Sequence, residues 1–262
     1  RNQIRTLSIF LSFLVMGFGD VVGTLVGFAS STFHISKVEA GLLPFLGFIA
    51  YGVISVPAGV ISDRIGKKKL LMISLAVCLV GLIIPFLWLS SYFVLAVSIL
   101  LLGSGMAVLQ VAANPLMRDV SAPGKYSRNL SFAQFVKSIG SLSGSLLTVF
   151  VLTSWTGLFP LYASVTAVAL LLVWQAQIAE SPGDVRASVG GSFSLLKNPY
   201  ILMMVTALFL YVGAEVGMNS WIATYLNSVH GLDISRFATL GIGFFFVSLL
   251  VGRLTGAMIL NW

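Results

Sequence analysis

Charge is scarce in this chain. Only 9% of its 262 residues are Asp, Glu, Lys or Arg, 58% are Ala, Val, Ile, Leu, Met, Phe, Trp, Tyr or Cys, and the mean hydropathy is +1.01. A soluble domain of this length cannot hide so much apolar surface, which leaves a polytopic membrane protein. Cysteine is limited to Cys78, so no intrachain disulfide can form and the thiol reads as a small packing residue. Histidine is limited to His34 and His230, far apart and each between apolar runs. With no metal-ligand cluster, phosphate loop or nucleophile elbow, we expect neither an enzyme nor a metal or organic cofactor. The net charge of +7 sits in short loops between apolar runs. That pattern is a topology signal rather than a nucleic-acid footprint, and no nucleic-acid partner is expected.

What the chain has is long apolar stretches. A helix needs about 20 mostly apolar residues to cross the hydrocarbon. Eight runs qualify: 7–29, 39–62, 70–89, 92–117, 131–153, 159–179, 200–228 and 237–260. They are too long, and alternate too little, for barrel strands. With the N-terminus inside, the cytoplasmic side receives Arg1, Arg5, Arg64, Lys67, Lys68, Lys69, Arg118, Lys125, Arg128, Arg186 and Lys197, with Arg253 near the inner end of the last run. The outside receives Lys37 and Arg236, so the expected orientation is N-terminus cytoplasmic in a plasma membrane, here a bacterial inner membrane. The sequon at Asn129 falls inside and is not taken as a glycan site. The first run is long enough to span and has no cleavage site after it. The chain opens on Arg1 and stops at Trp262 as an apolar run ends, so we expect a piece of a longer protein.

The Gly-, Ser- and Pro-rich stretch 180–198 reads as a cytoplasmic linker. It separates a six-helix bundle over 1–179 from two further helices over 199–262. Gly59 and Gly256 each lie near the inner end of the second helix of a bundle, 197 residues apart. The same offset carries Asp20 to within two residues of Glu215, as expected of a repeated unit. Repeated halves with charges near the midplane are the pattern of a secondary transporter.

Asp20, in "MGFGDVVGTLVGF", has no charged neighbour between Arg5 and His34. A carboxylate at the bilayer centre costs roughly 2.5–3.5 kcal/mol, so it faces a cavity or a partner. Asp20 and Glu215 are therefore candidate carriers of a coupling cation, a proton or alternatively sodium; the other reading is a structural hydrogen bond between helices. Tyr211 and Asn219 stand four residues either side of Glu215 and share its face. Trp221 either stacks on a sugar ring or packs at an interface. Gln110 and Asn114 face one way in "LQVAANPLM", where Pro115 frees the carbonyl of Val111. Gln134, Lys137 and Ser141 form a stripe in "FAQFVKSIGSLSG". Lys137 either snorkels to the cytoplasmic face or stands as a fixed charge, paired with Asp20 or a ligand anion. Gly140 and Gly144 allow close helix contact. In "GVISDRIGKKK" the basic cluster suits anionic lipid or a helix C-terminus.

That last segment, with Gly59, Asp63, Arg64, Gly66, Lys67, Lys68 and Lys69, resembles the loop between the second and third helices of the major facilitator superfamily, where it acts in the conformational switch. Within the superfamily the chain resembles the fucose–galactose–glucose:proton symporter family. The residues that carry this are "AANPL" at 112–116, "AQFVKSIG" at 133–140, "YVGAE" at 211–215 and "VGRLTG" at 251–256. The resemblance implies an all-α fold of twelve helices in two pseudo-symmetric bundles, of which this chain holds the first six and two of the second. It implies a central substrate site and alternating access. The family's fourth-helix glutamate is matched by Gln110, its first-helix acid lies about one turn beyond Asp20, and a fifth-helix asparagine is matched by Lys137.

The expected function is a monomeric, cation-coupled sugar importer. Asp20 and Glu215 would handle the ion, and Gln110, Asn114, Gln134, Lys137, Tyr211, Asn219 and Trp221 a hexose or deoxyhexose. The alternatives are an efflux pump, a carrier of a small anionic metabolite, or a receptor without transport.

Overall fold

The structure, a computed structural model, describes residues 2–181 and 189–259. Arg1, Arg186 and part of the expected linker lie outside the described residues. Every element among the described residues is helical. The first apolar run forms α1 (Asn2–Phe18) and α2 (Val22–Phe33), joined by one 3-10 turn at Gly19–Val21. Then come α3 (Lys37–Ile65), α4 (Lys67–Leu87), α5 (Tyr92–Val120), α6 (Tyr126–Phe150), α7 (Leu158–Gln175), the short α8 (Val189–Ser194), α9 (Pro199–His230) and α10 (Thr239–Ile259).

Local chemistry sets the helix ends. Ser36 caps α3 with a reciprocal box: its Oγ accepts from the Glu39 N–H, and Glu39 Oε2 accepts from the Ser36 N–H at 2.8 Å. Asn198 accepts from the Tyr200 N–H ahead of α9, with Pro199 at the first helical position, and Gly231 at φ +67° ends it.

Among the described residues, seven helical segments are long and apolar enough to cross a membrane, α1 and α2 together forming the first. The eighth expected span, α6, is a 25-residue helix that falls short only in apolarity. Its polar stripe is turned inward: Ser138, Ser141 and Ser145 are buried with Ala133, Gly140 and Gly144. A helix that shows its polar side to other helices, not to lipid, is tolerated in a bilayer.

Helices α1–α7 enclose one continuous core, in which Phe13, Leu71, Leu75, Ile99, Met106 and Phe159 are fully buried. Within it α5 packs on α3 and α4, α4 on α7, and α1 on α6 and α7. The α1–α6 contact is close enough that a Cβ on Gly17 or Gly140 would strike the facing backbone, so the small-residue expectation for Gly140 holds; Gly144 makes room for Val21 in the same way. A second, smaller cluster of Ala223, Ala238, Ile242 and Phe246 serves α9 and α10, and Leu142 of α6 packs against it. Helix α10 runs along α6 and ties this part to the six-span bundle.

One end of the molecule carries the loop at Gly66 and the segment after α7; it is called here the basic end. At the opposite end α2 meets α9. A Cβ on Gly23 would collide with Asn219, one on Gly27 would touch Ile234 at 3.4 Å, and one on Gly41 of α3 would lie 3.0 Å from the Trp221 ring. The two parts of the chain are thus in contact toward the end opposite the basic loops.

Candidate functional site

The 3-10 turn places Asp20 in the middle of the first span, on the side facing α6. A glycine stands on either side of Phe18 at the break: Gly17 lets α1 close on α6, and Gly19 abuts Met106 of α5. Asp20 Oδ2 accepts a hydrogen bond from Ser141 Oγ at 2.7 Å and lies 3.4 Å from Lys137 Nζ. Both charged side chains are mostly shielded, at 16% and 15% exposure. Lys137 therefore pairs across the helix contact and does not snorkel. Asn219 Nδ2 of α9 donates to the Asp20 backbone carbonyl at 2.6 Å. Tyr51 of α3 is close enough to feel the Asp20 charge. Together with Gly19 and Met106 it lines a small, largely apolar cavity.

Glu215 sits one turn before Asn219 on α9. Its Oε1 accepts from Arg253 Nη2 at 3.2 Å, and Arg253 Nη1 donates to Ser138 Oγ at 2.7 Å. Tyr211, half-exposed, stands one turn before Glu215 on the same face of α9. Two ion pairs, Asp20–Lys137 and Glu215–Arg253, thus hang from adjacent residues of α6. They run from the first span through Lys137 and Ser138 to α9 and α10. Two charges of each sign cancel across the junction of the two parts.

The remaining expected ligands do not join this line. Gln134 stands one turn from Lys137 toward the basic end and is half-buried. Gln110 is half-buried one turn beyond Met106, also toward the basic end. Asn114 keeps a buried Oδ1 with no hydrogen-bond partner, an atom prepared to accept. Helix α5 continues unbroken through Pro115, so the expected loosening does not interrupt it. Trp221 packs its ring on Gly41 and leaves 39% of itself exposed.

At the basic end, the Gly59–Lys69 segment is held by an acid far along the chain. Gly66 adopts φ +94°, ψ 148°, a backbone region that glycine alone enters freely. This turns the first N–H groups of α4 outward. Glu180 accepts from the Lys67 N–H at 2.6 Å and the Lys68 N–H at 3.1 Å, capping a helix start that attracts negative charge. Lys67 Nζ donates to Asp119 Oδ2 at 2.6 Å, and Lys68 Nζ to the carbonyl of Trp174 at the end of α7. Two of the three lysines therefore serve protein contacts, one of them at a helix C-terminus as expected. Arg64, Lys69 and Asp63 are exposed, and Gly59 faces Val111 loosely.

A family model described as Major Facilitator Superfamily matches residues 7–261. The chain belongs to the major facilitator superfamily. It is similar to the glucose/galactose transporter of Brucella abortus biovar 1 (strain 9-941), 26% identical over 276 residues that cover 97% of this chain and 66% of that protein. It is also similar to the L-fucose-proton symporter of Haemophilus influenzae, 27% identical over 135 residues that cover 50% of this chain and 32% of that protein. The crystal structure of FucP, a superfamily transporter in the outward conformation, superposes with a TM-score of 0.68 at 19% identity, covering 96% of this chain and 71% of FucP. At that identity the likeness establishes the fold. The chain spans just under two thirds of the length of the glucose/galactose transporter it matches. The all-helical, multi-pass fold expected from the apolar runs, and the superfamily expected from the resemblance, are those observed.

Three residues of the site escape a reading of the sequence. Arg253 looks like a positive-inside anchor, yet it lies within α10, well short of the helix end at Ile259. The rule that flags intramembrane acids applies to it equally. Ser138 is hidden among the many serines of α6. Glu180 has its partners 113 and 112 residues away, and no local pattern marks it.

Proposed function

We propose that the protein is a cation-coupled sugar symporter working by alternating access. In this reading it sits as a monomer in a bacterial inner membrane with the basic end cytoplasmic. Asp20 and Glu215 take turns between their cationic partners and the coupling ion, most simply a proton. Gln110, Asn114, Gln134, Lys137, Tyr211, Asn219 and Trp221 offer the substrate contacts, and the cargo is a sugar of hexose or deoxyhexose size. The observation that carries this reading is the junction itself: the two intramembrane acids stand one on each part of the chain and are linked through adjacent residues of α6. Such pairs are re-partnered when two bundles rock, whereas acids with a purely structural role have no need to meet at the moving seam. The names of the relatives favour a sugar, and the transporter family favours transport over catalysis. Lys137 beside Asp20 favours a second cargo, a small anionic metabolite.

Counterflow in proteoliposomes holding the whole protein tests the sugar reading. Labelled hexoses, deoxyhexoses and their acid derivatives are offered to preloaded vesicles. At least one is expected to exchange; exchange of none contradicts the assignment.

A further inference from the structure

The charges at the junction place a demand on the cargo. Lys137 is 15% exposed and its carboxylate partner is Asp20, 3.4 Å away. The groups facing Asp20 are Lys137 and Ser141 from α6, Tyr51 from α3 and Asn219 from α9. The nearest other charges, Glu215 and Arg253, satisfy one another.

Consider the loading of one proton on Asp20. The acid itself is well provided for. Ser141 Oγ has a second acceptor in the Lys137 carbonyl at 3.2 Å, so it can turn its proton there and accept from a neutral Asp20. Nothing is left unbonded on that side. Lys137 has no such alternative, because an ammonium carries three donors and no acceptor. With Asp20 neutral, a shielded cation is left uncompensated, and that state is strongly disfavoured. A neutral sugar offers hydroxyl groups but no charge. A carboxylate restores the pair.

We propose that the cargo is a sugar acid, a hexuronate or hexonate, whose carboxylate takes the place of Asp20 at Lys137 while Asp20 keeps the proton. This rests on the sugar-symport reading and narrows it. One proton and one carboxylate enter together and leave together, so the junction stays neutral at each step. The hydroxyl groups of the sugar fall to Gln110, Gln134 and the open acceptor of Asn114. Binding of the anion draws a proton onto Asp20, so affinity rises as pH falls.

Binding and counterflow of labelled glucuronate, galacturonate and gluconate, set against glucose, galactose and L-fucose, test the proposal in proteoliposomes of the whole protein. At least one acid sugar is expected to exchange at least tenfold faster than its neutral parent. Its affinity is expected to tighten as pH falls, by up to about tenfold per pH unit while Asp20 is ionised in the unloaded protein. In Asp20→Asn, where Lys137 is already unpaired, the acid sugar is expected to bind at least as tightly as in the wild type and without pH dependence, although coupled transport is lost. A merely structural pair would instead weaken binding in that variant. Lys137→Gln is expected to lower acid-sugar exchange at least tenfold. Neutral sugars exchanging faster than acids, or a pH-independent wild type, overturn the proposal and leave the sugar symporter standing. Exchange of neither set removes both.

Discussion

Arg253 holds two partners with one guanidinium. One nitrogen reaches Glu215 and the other Ser138, so the residue joins α10 to both α9 and α6. Removing it strands Glu215, and breaking a shielded pair in this way costs about 3–5 kcal/mol. Arg253→Gln is expected to lower the melting temperature in detergent and to cut uptake at least tenfold. Arg253→Lys keeps the charge but cannot make both contacts at once, so its uptake should fall between the two. Equal uptake in Arg253→Gln and wild type would show that the bridge has no part in the cycle. At this scale legibility depended on charge in unusual places. Asp20, Glu215 and Lys137 stand out because a charge inside an apolar run must be explained. The pairing of Asp20 with Lys137 was one of two open readings, because depth along a helix does not tell which neighbour a side chain meets. Arg253 was placed near the inner end of the last run but not given its partners, since a cation there looks the same whether it anchors a loop or bonds an acid.

Helix α4 depends on chain far from it. Its first two N–H groups after Gly66 are capped by Glu180, and Gly66 supplies the backbone angle that presents them. Glu180→Ala is expected to cost about 1 kcal/mol, typical of a lost cap. Gly66→Ala forces a side chain into a strained backbone region at about 1–3 kcal/mol and sets its Cβ 3.2 Å from Glu180 Oε2. Thermal unfolding in detergent should rank wild type above Glu180→Ala and Glu180→Ala above Gly66→Ala. The existence of the long helices was legible, because a bilayer admits few alternatives to a roughly 20-residue apolar helix, whereas the short α8 falls inside the stretch read as a linker. Their ends moved by a few residues, where caps such as Ser36 and Asn198 override apolarity. The turn at Gly19–Val21 was not legible, because a break inside a uniformly apolar run leaves no polar mark beyond Asp20 itself. Helix α6 was legible as a span from the length of its run, although its serines leave it less apolar than the other spans.

The whole molecule is closed toward the end opposite the basic loops, where α2 meets α9 around Gly23, Gly27 and Asn219. Thr24, Asn219 and Ser220 leave buried polar atoms without hydrogen bonds at this seam. Such atoms weaken a contact and are relieved once water enters it, as the proposed alternating access requires of this seam. Cysteines at Gly27 and Ile234 are therefore expected to cross-link on oxidation and to abolish uptake, with recovery on reduction. Uptake that survives a complete cross-link would mean that this seam stays shut throughout. The repeat remains an expectation drawn from Gly59, Gly256 and the near match of Asp20 with Glu215; it could not convey that Asp20 bonds α6 directly while Glu215 reaches it through Arg253.

The most direct measurement is proton movement with the cargo. Proteoliposomes of the wild type, Asp20→Asn and Glu215→Gln are given cargo without a pH gradient, and external pH is followed. The wild type is expected to alkalinise the medium as cargo enters, and each variant to lose that signal. Undiminished alkalinisation in both variants would contradict the claim that these two acids carry the coupling ion.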